Sequence, residues 1–144
     1  MALVEKLLIA AMALQVLLTI GILLWMGMER VPRVIRGEIP AAKIAVERDA
    51  YPLRARLLSN NFDNQFQLPV LFYVAALLSL WSGVTGWSEV ILALLFVALR
   101  YVHAAIHVTH NQLQSRFAAY AAGLVVLTVL WVWLLLRLLL SPGI

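Results

Sequence analysis

The segment Ile91-Leu-Ala-Leu-Leu-Phe-Val-Ala-Leu-Arg100-Tyr-Val-His103-Ala-Ala-Ile-His107-Val-Thr-His110 decides the fold. It is long and apolar enough to cross a bilayer. It nevertheless carries Arg100, His103, His107 and His110 at steps of three and four residues, which puts all four on one helical face. Ionisable groups inside a membrane helix are costly and face a protein interior or a wet cavity, where they mark functional pathways. A second polar stripe, Arg56, Asn60, Asp63, Asn64 and Gln67, leads into the apolar run from Leu71 to Leu80. The two stripes are expected to meet.

The composition agrees with a membrane location. Hydrophobic residues make up 64% of the 144-residue chain and charged residues only 12%, and the mean hydropathy is +0.94, all far from the values of a soluble domain. The length accommodates about four spans of roughly 20 residues and little else. The net charge of +4 is concentrated in one loop and reads as topology, so no nucleic-acid partner is implied. With no cysteine, the chain has no disulfide, thiolate metal ligand or cysteine nucleophile, so any thiol chemistry needs a thiol brought by a substrate.

The pattern predicts an all-α membrane protein, a single domain over residues 1–144 folded as a four-helix antiparallel bundle, with spans at about 7–28, 57–80, 88–110 and 117–140. Between the first two spans, Pro32, Gly37, Pro40 and Pro52 are expected to break any long helix. Pro69 falls inside the second span, where a local kink is expected rather than a break. The turn from Trp81 to Trp87 has the tryptophans of a membrane interface at both ends, and Trp25, Trp131 and Trp133 read as further interface anchors.

Loop charges set the orientation. Arg30, Arg33, Arg36, Lys43, Arg48, Arg54 and Arg56 lie in the first connection and no Lys or Arg in the second. The first and third connections are therefore expected in the cytoplasm and both termini on the opposite side. Both polar stripes then occupy the cytoplasmic half, and Arg100 lies roughly 15 Å deeper than His110. A cleft open to the cytoplasm follows.

Two readings of the stripes compete. In one, Arg100 and Asp63 form a buried ion pair and the amides bond across helices as structural glue. In the other, the excess of cations over the single acid Asp63 calls for an anionic ligand, because Arg56, Arg100 and Arg116 all lie in this zone and guanidinium groups suit carboxylates. His103, His107 and His110 also raise metal or haem binding, which the neighbouring Arg100 and the lack of a carboxylate on that helix disfavour, so no metal ligand is assigned. A non-catalytic membrane subunit or assembly protein is the remaining alternative. Ala118, Ala119, Ala122 and Gly123 would provide close helix contact, within the bundle or between chains.

Over nearly its whole length the sequence resembles the MAPEG family, the membrane-associated proteins of eicosanoid and glutathione metabolism. Arg100, His103 and Arg116 reproduce an arginine, histidine and later arginine of prostaglandin-synthase-like members, in which the later arginine serves the glutathione thiol. His107 stands at a tyrosine position of those members, and Tyr101 matches a tyrosine of leukotriene-synthase-like members. In the second span, Arg56, Asn60 and Asp63 fit an arginine, asparagine and glutamate pattern, with aspartate for glutamate. Asn64, Gln67 and Pro69 fit the same pattern in a rival register.

The resemblance implies a homotrimer with glutathione held between subunits as co-substrate. It further implies a transferase or peroxidase acting on a lipophilic small molecule that enters from the lipid bilayer. On this reading Arg116 is the catalytic residue that stabilises the thiolate. Arg56, Asn60, Asp63, Asn64, Gln67, Arg100, Tyr101, His103 and His107 would bind glutathione or substrate.

Overall fold

Leu3 to Ile35 form one uninterrupted helix, α1, in the computed structural model, which describes residues 1–140. At 33 residues it is about 50 Å long and outruns the roughly 30 Å hydrocarbon layer. The expected break at Pro32 does not occur. That proline sits one turn from the helix end, where it forfeits a single ladder bond, and the helix stops instead at Gly37. Gly37 adopts φ +70°, donates to the Val34 carbonyl at 3.0 Å, and lets Glu38 N–H reach the Arg33 carbonyl at 3.0 Å, a Schellman end that needs glycine's left-handed freedom.

The connection that follows holds a four-residue helix, α2 (Ala41–Ile44), and a 3-10 turn at Arg48–Ala50. Its arginines are largely engaged. Arg33 pairs with Glu29 and Glu38, Arg36 with Glu38 at 3.0 Å, Arg48 with Asp63, and Arg56 with Asp49 at 3.3 Å. Arg30 lies over the Tyr51 ring at 4.2 Å, and Tyr51 packs with Ile39 and Ala55 to anchor the connection on the bundle.

The second apolar region is two helices, α3 (Leu53–Asn64) and α4 (Leu68–Trp81), where a kinked single helix was expected. Pro69 cannot donate to the Gln65 carbonyl and is placed in the first turn of α4, the position that tolerates it. Two carbonyls next to the break accept side-chain donors. Gln65 Nε2 donates to the Asn61 carbonyl at 3.2 Å, and Arg100 Nη2 donates to the Asn64 carbonyl at 3.1 Å. In a low-dielectric interior such substitutes are what make a broken span affordable.

Two long helices follow: α5 (Trp87–Val108) and α6 (Leu113–Leu140). Helices α1, α5 and α6 are each long and apolar enough to cross a membrane. The principal core joins Leu8 and Ala11 of α1, Phe72, Ala75 and Ala76 of α4, Val90, Ala93, Phe96 and Val97 of α5, and Leu127, Leu130 and Leu134 of α6. Phe72 stacks on Phe96 with ring centroids 5.0 Å apart, and Ala119 and Gly123 are both buried, Gly123 facing the Phe96 ring, so they serve packing within the bundle. Many outward residues of α1, α4, α5 and α6 are large and apolar, as lipid contact demands.

At the far end of α5, Glu89 is wholly buried. Its carboxylate accepts the Gly86 N–H at 2.8 Å and pairs with Arg137 of α6 at 3.2 Å. A Cβ on Gly86 would lie 2.8 Å from Arg137 Nη1, so a side chain there would make the end of the arginine shift. The pair ties the two ends of the α5–α6 hairpin together.

Candidate functional site

Between α3, α5 and the start of α6 lies a cavity of about 480 Å³. Asn60, Asp63, Asn64 and Gln67 form one wall, His103 and His107 the floor, and Leu113, Arg116, Phe117 and Tyr120 the opposite wall. The two polar stripes do meet here, because the break after Asn64 keeps Gln67 beside α5 while α4 departs into the core.

Arg100 sits behind this cavity at 1% exposure. Apart from its bond to the Asn64 carbonyl, its Nε and Nη1 have no hydrogen-bond partner, nor does His103 Nδ1. The expected Arg100–Asp63 pair does not form: Asp63 is paired with Arg48 of the first connection. The single acid among the cavity-lining residues is thus already paired, while the buried Arg100 guanidinium has no acid partner and Arg116 lines the cavity. Arg116 is oriented by Asn111, whose Oδ1 accepts its Nη1 at 2.6 Å. Asn111 occupies the left-handed region at φ 46°, which asparagine tolerates in a tight turn.

The imidazoles form an edge-to-face pair, with His103 and His107 ring centroids 5.8 Å apart, and His103 lies at the same distance from the Tyr120 ring. Asn64 Nδ2 contacts His107 Nδ1 at 3.5 Å. His110 is exposed and contacts Thr109 instead, away from the other two histidines. Among the described residues no group of three or more His, Asp or Glu is placed to hold a metal ion.

Two residues expected at the site lie elsewhere. Arg56 points to Asp49 and lines a smaller pocket shared with Arg48 and Asn60. Tyr101 lies on the other side of α5, where its hydroxyl donates to the Leu14 carbonyl of α1 at 2.8 Å. One position after Arg100, it is turned about 100° around the helix from the stripe. Conversely, Tyr120, Phe117 and Leu113 line the cavity although they belong to neither polar stripe. Tyr120 follows Arg116 by one helical turn, and that spacing was the available signal.

A helical membrane protein with an open, arginine-lined polar cavity between broken and continuous spans is the class defined by this arrangement. The MAPEG family profile matches residues 8–136, nearly the whole chain, and the protein belongs to the MAPEG family. No curated protein and no solved structure matches it.

Proposed function

We propose that the cavity binds glutathione and that the protein uses it as a transferase or peroxidase acting on a lipophilic electrophile. The observation that carries this reading is Arg100, a buried cation with two unpartnered donors behind a cavity whose single acid is already paired. A buried charge without a partner is expensive, and an anionic ligand supplies the missing partner. MAPEG members generally use glutathione, which has two carboxylates and a thiol.

On this reading Asn60, Asn64 and Gln67 hydrogen-bond the peptide portion of the ligand, and Arg100 draws its negative charge inward. Arg116 faces the thiol. A free thiol ionises near about pH 8.5, and a guanidinium at contact distance favours the thiolate without a general base. The thiolate sulfur then bonds to the electrophilic atom, and the displaced electron pair leaves with the oxygen or other leaving group, which takes a proton from solvent. Leu113, Phe117 and Tyr120 provide the apolar wall along which a lipophilic partner approaches. The loop-charge asymmetry supports a cytoplasmic opening, and family membership supports assembly as a homotrimer.

The test is the ultraviolet thiolate band of glutathione added to purified protein at neutral pH. The band is expected with the wild type and not with Arg116→Ala; an undiminished band in a folded Arg116→Ala oligomer refutes the assigned role.

A further inference from the structure

A chain of buried amides runs from α1 to the break in the second span. Gln15 Nε2 donates to Gln65 Oε1 at 2.9 Å, Gln65 Nε2 donates to Asn61 Oδ1 at 2.9 Å, and Asn61 Nδ2 donates to the Ala104 carbonyl of α5 at 3.1 Å. Gln15, Gln65 and Asn61 are at most 2% exposed. The direction of the chain is set by main-chain carbonyls, which have only acceptor character. The Ala104 carbonyl requires the Asn61 amide nitrogen, and the Asn61 carbonyl requires the Gln65 amide nitrogen. Gln65 therefore presents its oxygen to α1, and only a donor at position 15 completes the chain.

Gln15 is costly where it stands. Its own Oε1 is buried without a partner, a penalty that an apolar residue in the same place would avoid. What it supplies is geometry. Gln65 begins the short non-helical stretch that separates α3 from α4, and the cavity-wall amides Asn64 and Gln67 lie one residue before it and two residues after it. With Gln65 held by both α1 and Asn61, the break has one conformation and the two amides have fixed positions.

We propose that Gln15 is a positioning residue for the cavity: from the opposite side of the bundle it fixes the α3–α4 break, and with it the placement of Asn64 and Gln67 on the cavity wall. The effect on ligand affinity rests on the reading of the cavity as a glutathione site, whereas the effect on the break does not.

Because the chain has no cysteine, a single introduced thiol reports on one place. Gln67→Cys puts the reporter at the break and Leu113→Cys puts one on the α6 wall of the same cavity. Each is labelled with a water-soluble maleimide in the purified full chain, with and without Gln15→Leu. The labelling rate of Gln67→Cys is expected to change by about fivefold or more, with that of Leu113→Cys constant within about twofold, because the released segment opens locally. Glutathione is expected to bind Gln15→Leu about tenfold more weakly, in line with the sensitivity of oriented sites to small displacements. Gln65→Leu should reproduce these effects, and the double variant should add nothing to them.

An unchanged Gln67→Cys rate overturns the proposal, as do equal changes at both reporters, which would signify general loosening. Where Gln15→Leu fails to fold, Gln15→Asn keeps the amide while shortening its reach, and the same site-confined change is expected. If wild-type protein does not bind glutathione, the reading of the ligand fails and the two labelling rates still decide the role of Gln15.

Discussion

Replacing Arg100 by methionine should stabilise the empty protein and abolish its ligand binding. Methionine fills a similar elongated volume without charge. In the wild type, Arg100 is 1% exposed and leaves Nε and Nη1 unpartnered. Each unsatisfied buried donor costs about 1–3 kcal/mol, so removing both returns about 2–6 kcal/mol. Against this stands the bond to the Asn64 carbonyl at 3.1 Å. Its loss costs about 1–3 kcal/mol, with that carbonyl keeping only the longer bond from the Gln67 N–H at 3.5 Å. The balance favours Arg100→Met by about 2 kcal/mol. Thermal denaturation in detergent, with and without glutathione, separates the two effects. Wild type at a ligand concentration one hundred times Kd gains about 2.7 kcal/mol, and the variant gains nothing. Empty Arg100→Met protein that is less stable than wild type by about 1 kcal/mol or more would refute the reasoning, because it would make Arg100 a satisfied structural residue.

The Glu89–Arg137 pair makes a different prediction. Arg137→Leu leaves a buried carboxylate with only the Gly86 N–H and should cost about 3 kcal/mol, whereas Glu89→Leu combined with Arg137→Leu should return to within about 1 kcal/mol of wild type, as read from melting curves. Phe72→Ala removes a ring stacked on Phe96 at 0% exposure and should cost about 3–5 kcal/mol in the same assay. Tyr101→Phe deletes the bond to the Leu14 carbonyl, for about 1 kcal/mol of stability, and should leave glutathione affinity unchanged in a binding titration, since Tyr101 lies outside the cavity.

Helical periodicity made the core of this architecture legible. The stripe through His103 and His107 and the stripe through Asn60, Asp63, Asn64 and Gln67 line one cavity because side chains three and four apart share a face whatever they pack against. Periodicity does not reveal where the hydrogen bonds of an interrupted span are replaced. Pro69 alone suggests a kink. The break depends on Gln65 and Arg100 satisfying the Asn61 and Asn64 carbonyls, and those contacts join residues distant in the chain. The same limit applies to Arg48. In the sequence it is one loop charge among several, and its pairing with Asp63 depends on how the first connection folds back on α3. Glu89 and Arg137 are 48 residues apart and meet only because α5 and α6 form a hairpin of matched length. Pro32 by its type signals a helix break, but its place in the sequence does not show that a ladder continues around it and ends at Gly37.

Calorimetric titration of glutathione into detergent-purified wild-type protein, alongside equally well-folded Arg100→Met, bears on the ligand itself. Saturable heats with wild type, lost in the variant, are expected from a cavity whose buried guanidinium awaits an anion. The absence of saturable binding by well-folded wild-type protein would contradict that account.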